Sequence, residues 1–259
     1  MDELKAIRDR VTKQEVADML AEFDAVFDVS ADCSAEELQR AAKSSVALHK
    51  LVEKHRLGGL AYFYEGQPNN DNEDIITSII AGNTLLTAKH VPVAGEYEVK
   101  NVMAMKIMDI LGAGGSFSEF YAMDFDDDII MLGHDGPGHA KIAEGSVNLV
   151  PLQVYHGKPG KGLSIQMSVK NGPVTILSVC QERDGAIKLL VAEGESVPGP
   201  TLDIGNTNSR YRFPIGVKEY INAWSKAGPS HHCAIGVGHI ARKLQHFSEI
   251  IGIEFQKIC

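Results

Sequence analysis

The chain has 259 residues, 44% of them hydrophobic and 23% charged, and its formal net charge at pH 7 is −9. This composition is typical of a globular protein with a sizeable core, and the negative charge argues against nucleic acid or an anionic membrane surface as the main partner. No apolar run approaches the roughly 20 residues that span a bilayer, and the charged N-terminus lacks the apolar segment of a signal peptide.

Four cysteines are spread along the chain without a C-x-x-C pair: Cys33, Cys180, Cys233 and Cys259. This spacing favours free thiols in a reducing compartment over a disulfide framework or a zinc knuckle. We therefore expect a cytoplasmic protein whose partners include neither nucleic acid nor a membrane.

The first predicted elements in chain order are two helices that begin with capping boxes. Thr12 with Glu15 begins the first helix, and apolar residues at helical spacing follow it. Ser34 with Glu37 begins a longer helix, which we expect to continue to about Arg56 and to end at the glycines that follow.

Short strands and helices alternate over the next part of the chain. Residues 59–66 form an apolar and aromatic run of strand length, and residues 67–74 have the composition of a loop. Residues 74–90 predict a helix that is interrupted near Gly82, and a further strong helix ends at Gly112. This alternation is typical of an α/β structure.

From residue 115 onward the pattern changes to short strands separated by turn residues. The turn pairs Asn171-Gly172 and Asp184-Gly185 are hairpin signals. Short strands at this spacing predict an antiparallel barrel or sandwich, with a few helices near the C-terminus. We therefore predict an α/β portion in residues 1–114 and a mainly antiparallel β portion in residues 115–259.

Two carboxylates stand at positions where general packing does not require them. Glu96 precedes a predicted helix, where the alternative is a first-turn carboxylate that complements the helix dipole. Glu119 lies inside an aromatic-rich strand, where the alternative is a solvent-facing residue on a half-buried strand.

Histidines occupy two further segments with unusual surroundings. In "GHDGPGH", His134, Asp135 and His139 lie among glycines, so the segment is either a polar turn or a place where a ligand approaches the backbone. In "AGPSHHC", neighbouring side chains on a strand would point to opposite faces, so at most one of His231 and His232 meets a given ion. The alternative is that both histidines lie near the last carbonyls of a helix.

Together these segments supply two carboxylates and at least two imidazoles. Mixed oxygen and nitrogen ligands suit a divalent ion such as Mn²⁺, Co²⁺ or Mg²⁺ better than an ion that prefers thiolates. Cys233 adjoins His232, but we expect it to pack in the core instead of binding an ion.

The segments "GEYEVK", "GSFSEFYAMDF" followed by "IIMLGHD", and "AWSKAGPSHHCAI" resemble, in that order, three segments of the L-arabinose isomerases and of the wider L-fucose isomerase-like superfamily. The resemblance spans nearly the whole chain. It implies a metal-dependent aldose–ketose isomerase that acts through an enediol intermediate, with Mn²⁺ as the usual ion. It also implies that residues 1–114 are a partial Rossmann-like α/β domain and that residues 115–259 are a C-terminal β-barrel domain with a few helices.

Carried over by position, the resemblance implies a metal site formed by Glu96, Glu119, His134 and His232, in which the two glutamates are also the catalytic acid and base. His231 then contacts the substrate, although the roles of His231 and His232 could be exchanged. This chain reads "LGHDGPGH" where the family commonly has G-S-H, which leaves His139 as an alternative ligand to His134. The substrate-binding set is therefore His231, Asp135, His139, Asn206 and Arg210.

The resemblance also implies partners and leaves two other functions open. Family members resemble a three-domain chain, so we expect this chain to be the C-terminal part of a longer enzyme or one part of a split enzyme. We expect a sugar substrate and a homo-oligomer, a trimer or a hexamer. The alternatives are a non-catalytic sugar-binding or assembly module and a metal-dependent hydrolase or lyase.

Overall fold

The computed structural model describes residues 1–63, 71–152, 154–155, 158–204 and 206–259. The helices are α1 (Asp2–Arg8), α2 (Lys13–Val26), α3 (Ala35–His55), α4 (Asp71–Ile76), α5 (Ile80–Ala88), α6 (Val99–Ile110), α7 (Gly216–Lys226) and α8 (Ala241–Ile251), with a short 3₁₀ helix at Ala140–Ile142. The strands are β1 (Asp28–Val29), β2 (Leu60–Ala61), β3 (Val93–Ala94), β4 (Ser116–Asp124), β5 (Ile129–His134), β6 (Asn148–Pro151), β7 (Val154–Tyr155), β8 (Lys158–Pro159), β9 (Leu163–Gln166), β10 (Gly172–Gln181), β11 (Ile187–Val197), β12 (Thr207–Arg212), β13 (Cys233–Val237) and β14 (Glu254–Lys257).

The C-terminal part is a closed antiparallel barrel of six strands. Its strands follow the order β10, β13, β4, β5, β12 and β11, and the pairing of β11 with β10 closes the ring. Strand β14 adds to β11 in parallel. The predicted antiparallel barrel is therefore confirmed, and barrel closure removes the unpaired edges that an open sheet would expose.

The N-terminal part is helical with short parallel strand pairs, which confirms the predicted α/β pattern. Strand β1 pairs in parallel with β6, and β2 pairs in parallel with β3.

No helix in the described part of the chain is long and apolar enough to cross a membrane. One hydrophobic cluster joins Phe23 and Leu85 of the helices to Ile130 and Ile176 of the barrel. The two portions share packing, and the predicted boundary after residue 114 stays a prediction.

The two predicted helix starts differ in how they are capped. Thr12 and Glu15 form the full capping box at α2. At α3 the Ser34 hydroxyl accepts a hydrogen bond from the Glu37 amide, but the Glu37 carboxylate lies 2.6 Å from Arg40. An ion pair with an arginine one turn later thus replaces the reciprocal half of the second box.

The interruption predicted near Gly82 is present at residues 77–79, but Gly82 itself lies inside the continuous helix α5. The helical pattern breaks earlier, between the end of α4 at Ile76 and the start of α5 at Ile80. A Cβ atom on Gly82 would come within 2.9 Å of three Ser45 atoms. The glycine is therefore required by the close approach of α5 to α3, and it does not mark a break.

Two further element predictions are only partly confirmed. Of the strand expected at residues 59–66, the structure shows β2 at Leu60–Ala61, while residues 64–66 lie outside the described residues. Of the loop expected at residues 67–74, residues 67–70 also lie outside them, and α4 begins at Asp71.

The two predicted hairpin turns have different outcomes. The turn at Asp184-Gly185 joins the paired strands β10 and β11, as expected. The turn at Asn171-Gly172 does not form a hairpin, because β9 pairs with β6 whereas β10 pairs with β11 and β13. This turn connects strands of two different sheets. The Asn-Gly pair predicts a turn, but it does not show which strands pair on either side of it.

Gly133 in β5 has no room for a side chain. A Cβ atom there would lie 2.1 Å from the Thr207 carbonyl oxygen and 2.8 Å from the Tyr121 ring. We expect Gly133→Ala to lower the free energy of unfolding by about 1–3 kcal/mol, because the barrel wall must move to admit the methyl group. Urea unfolding followed by circular dichroism measures the change.

Gly58→Ala is the matched control, because a Cβ atom at Gly58 would meet nothing within 4 Å. Equal stability of the two variants would contradict the close packing at Gly133.

Candidate functional site

Three neighbouring strands bring polar residues to one end of the barrel. The order is β13, β4 and β5, with Cys233 opposite Ser118 and Glu119 opposite Gly133. His232 immediately precedes β13, and His134 is the last residue of β5. The strand register therefore places His232, Glu119 and His134 beside one another, although they are far apart in the sequence.

Glu96 reaches this end of the barrel from the loop between β3 and α6. Both Glu96 and Tyr97 have φ of 54°, a left-handed conformation that costs a non-glycine residue about 1–3 kcal/mol. Two backbone hydrogen bonds hold the loop, one from the Tyr97 amide to the Tyr62 carbonyl at 3.1 Å and one from the Glu98 amide to the Gly95 carbonyl at 3.0 Å. Such strain is typical of loops that hold a functional side chain in place.

Glu96, His134 and His232 form a compact group, which we call the triad. The two Nε2 atoms of the histidines are 3.3 Å apart. The Glu96 carboxylate oxygens lie 3.8 Å from His134 Nε2 and 3.7 Å from His232 Nε2. The side chains of His134 and His232 are 5% and 1% exposed, so the triad is closed off from bulk solvent on the histidine side.

Glu119 belongs to a second group that shares His232 with the triad. Its carboxylate lies 2.9 Å from His231 Nε2, and one ligand atom each of Glu119, His231 and His232 lies within 4.8 Å of the others. The structure thus brings Glu96, His134 and His232 together and sets Glu119 beside them. The metal-binding and catalytic roles of these residues stay predictions.

The tautomer of His134 is set by the chain itself. His134 Nδ1 lies 2.7 Å from the Asp135 carbonyl oxygen, which can only accept, so Nδ1 carries the hydrogen. The Nε2 atom then presents a lone pair towards Glu96 and His232, which is the form of imidazole that binds a metal. The Phe117 ring, with its centroid 4.2 Å from that of His134 and 4.5 Å from that of His232, supports both imidazoles.

Glu98 holds the other side of His232 and is not singled out by the sequence pattern. Its carboxylate lies 3.5 Å from His232 Nδ1, and this interaction lowers the pKa of Glu98 despite partial burial. A carboxylate on the far nitrogen of a ligand histidine is a common way to orient it. The signal was present in "GEYEVK", which carries two glutamates two positions apart.

The geometry of the triad fits a divalent cation. Metal–ligand bonds of about 2.0–2.2 Å place neighbouring ligand atoms about 2.8–3.6 Å apart, close to the separations of 3.3, 3.7 and 3.8 Å within the triad. The neighbouring thiol of Cys233 does not compete, because it is fully buried and burial raises its pKa. All four cysteines are free in the structure.

Asp135 and Asn206, two of the predicted substrate contacts, lie around the Tyr121 ring at the edge of the site. Asn206 Nδ2 donates a hydrogen bond to the Tyr121 hydroxyl at 3.0 Å. Burial, and then the charges of Asp135 and Glu119, raise the pKa of Tyr121. The sequence pattern does not single out Tyr121, although it follows Glu119 by two positions in the same strand.

The structure does not bring Arg210 or His139 to the triad. Arg210 donates a hydrogen bond from Nη1 to the Pro200 carbonyl, and no contact with the triad occurs among the residues the structure describes. His139 is buried, with Nε2 3.7 Å from the Asp109 carboxylate, and it belongs to neither group of clustered ligands. The glycine-rich segment therefore sends its first histidine to the triad and its second into the core.

The position of His139 predicts a pH effect on stability. Burial lowers the pKa of His139 below its usual value of 6.5, and the opposing effect of Asp109 is smaller. Protons therefore bind the unfolded chain more tightly, and the free energy of unfolding falls as the pH drops through 6.5. We expect His139→Gln to reduce this loss, measured by urea unfolding at about pH 7.5 and about pH 5.5.

The control for this experiment is His246→Gln, since His246 lies exposed on α8 and contacts Glu249. If His139→Gln and His246→Gln lose stability in parallel with the wild type, the buried histidine is not the source of the pH dependence.

The comparisons with known proteins agree with the fold and with the strands that carry the site. The family model of the L-arabinose isomerase C-terminal domain matches residues 114–254, which is more than half of the chain. No curated protein matches the chain. The matched range contains Glu119, His134 and His232, whereas Glu96 precedes it. The chain belongs to the L-arabinose isomerase C-terminal domain family and is a sugar isomerase-like protein.

Proposed function

We propose that this chain carries the active site of a metal-dependent aldose–ketose isomerase that acts through an enediol intermediate. The observation that supports the proposal best is the triad of Glu96, His134 and His232 at one end of the barrel, with Glu119 beside it. Membership of the L-arabinose isomerase C-terminal domain family supports the same reaction class.

The proposed cofactor is a divalent ion, Mn²⁺ by preference over Co²⁺ or Mg²⁺, held by His134, His232, Glu96 and Glu119. When bound, such an ion would supply electrostatic stabilisation of the negative charge that develops on the sugar oxygens. His134 and His232 would hold it through Nε2 as neutral imidazoles, with His134 Nδ1 2.7 Å from the Asp135 carbonyl oxygen and His232 Nδ1 3.5 Å from the Glu98 carboxylate.

Glu96 and Glu119 are the proposed acid and base. One carboxylate removes the proton from the hydroxyl-bearing carbon next to the carbonyl, which leaves an enediolate. The other, protonated carboxylate delivers its proton to the former carbonyl carbon, and the hydroxyl proton of the first carbon moves to the former carbonyl oxygen. The hydrogen count of the sugar is therefore unchanged, and the two carboxylates finish with exchanged protonation states. Glu119 suits proton transfer because it contacts His231, whose side chain is 68% exposed and can exchange protons with solvent.

The proposal extends to the substrate contacts and to the assembly. Asp135 and Asn206 lie near the triad and are proposed to bind sugar hydroxyl groups, together with His231. The sequence also predicts Arg210 and His139 as substrate contacts. Because both lie away from the triad, this proposal gives neither of them a direct contact with the sugar. We also propose that the active enzyme is a homo-oligomer with an additional N-terminal domain.

Metal binding tests the first part of the proposal. We expect Mn²⁺ to raise the free energy of unfolding of the wild type by about 2.7 kcal/mol at a hundredfold excess over Kd. His232→Gln should weaken Mn²⁺ binding at least tenfold, about 1.4 kcal/mol, because it removes a ligand atom of the triad. Isothermal titration calorimetry gives both affinities.

His246→Gln is the matched control, because it removes an exposed imidazole outside the triad. Equal Mn²⁺ affinity in His232→Gln and His246→Gln would show that the triad does not hold the ion.

Sugar turnover tests the second part. In the assembled enzyme we expect Glu119→Gln to lower kcat by about 10²–10⁴-fold, because the amide cannot exchange a proton with the substrate carbon. Glu249→Gln, which changes an exposed carboxylate on α8, should keep full activity.

Exchange of solvent deuterium into carbon-bound positions of the sugar separates this reaction from its alternatives. Hydrolase or lyase chemistry would show turnover without the isomerised sugar, and a binding module would hold Mn²⁺ without turnover. Undiminished turnover in Glu119→Gln would remove Glu119 from the acid–base pair.

A further inference from the structure

Tyr62 is tied to the loop that carries Glu96. It follows β2, and its backbone amide donates to the Ala94 carbonyl at 3.0 Å. Its own carbonyl accepts a hydrogen bond from the Tyr97 amide at 3.1 Å. The parallel pairing of β2 with β3 therefore delivers Tyr62 and Glu96 to the same side of the barrel end.

The Tyr62 hydroxyl lies between the two loops that build the site. A Cβ atom on Gly136, directly after Asp135, would be 3.3 Å from this hydroxyl. A Cβ atom on Gly95, directly before Glu96, would be 3.8 Å from it. The absence of side chains at these two glycines leaves the space that the phenol hydroxyl occupies.

Two carboxylates act on this hydroxyl. Burial, and then the negative charges of Asp135 and Glu96, raise the pKa of Tyr62, while the Asn83 side chain has a smaller opposite effect. A phenol hydroxyl can donate a hydrogen bond. Ionised Asp135 and Glu96 can only accept hydrogen bonds.

We propose that Tyr62 is a substrate-binding residue whose hydroxyl donates a hydrogen bond to a hydroxyl oxygen of an open-chain sugar. Each sugar hydroxyl group both donates and accepts. On this side of the site Asp135 accepts from the sugar, and Tyr62 supplies the donor that a carboxylate cannot provide. The pair recognises a neutral polyol chain, and this inference rests on the proposed isomerase function.

Tyr97 provides a matched comparison. It lies next to Glu96, but its ring stacks on that of Phe63, with centroids 5.0 Å apart and an interplanar angle of 14°. Its side chain is exposed, with 66% of the residue surface accessible. Tyr97→Phe therefore removes a phenol hydroxyl near Glu96 but keeps the proposed hydrogen bond between Tyr62 and the sugar.

The experiment compares Tyr62→Phe and Tyr97→Phe with the wild type in the full-length, Mn²⁺-loaded protein. The probes are the open-chain polyols arabinitol, ribitol and xylitol, whose binding is measured by calorimetry and needs no turnover. We expect Tyr62→Phe to weaken binding of the best polyol roughly three- to tenfold, the usual effect of one lost hydrogen bond. Tyr97→Phe should leave it unchanged. Mn²⁺ affinity should not change in either variant, because neither hydroxyl belongs to the triad.

Three results would overturn the inference: equal polyol affinity in Tyr62→Phe and wild type, weaker Mn²⁺ binding in Tyr62→Phe, or failure of the wild type to bind any of the three polyols. If the wild type binds polyol and Tyr62→Phe does not, but no sugar is isomerised, the contact stands and the isomerase proposal fails. Where turnover occurs, KM should rise in Tyr62→Phe more than kcat falls.

Discussion

Two buried imidazole nitrogens that face each other at 3.3 Å are the constraint on which the site depends. Each histidine has its Nδ1 directed at an oxygen atom, of Asp135 for His134 and of Glu98 for His232. At this distance His232 Nε2 can donate a hydrogen bond to the lone pair of His134 Nε2, beside the Glu96 carboxylate. Under the proposed function a cation would replace that hydrogen and bind both Nε2 atoms.

The barrel and the helical portion each supply part of this arrangement. The pairing of β13, β4 and β5 sets His134, Glu119 and His232 side by side, and Phe117 in β4 packs against the two imidazoles. Glu96 comes from the α/β portion, through a loop that requires two residues with positive φ. The site is therefore complete only when the two portions pack together, which agrees with the hydrophobic cluster that they share.

The sequence predicted features whose causes are local and missed those whose causes are tertiary. The capping box at Thr12 and the hairpin turn at Asp184-Gly185 depend on neighbouring residues, and both are present. Gly82 was misjudged because its role is contact with Ser45 on another helix. The sequence singles out His134 and His232 because they are histidines in unusual segments. It does not single out Glu98, because the contact of Glu98 with His232 Nδ1 exists only in the folded chain.

His232 belongs to both ligand groups, one with Glu96 and one with Glu119, and under the proposed function these two carboxylates have different roles. Both carboxylates would contact the same ion, and they differ in their other contacts. The Glu119 carboxylate also lies 2.9 Å from His231, whose side chain is open to solvent. Glu96, by contrast, lies between both imidazoles and is held by a strained loop. The arrangement therefore favours Glu96 as the more rigidly held ligand and Glu119 as the carboxylate that exchanges its proton with solvent.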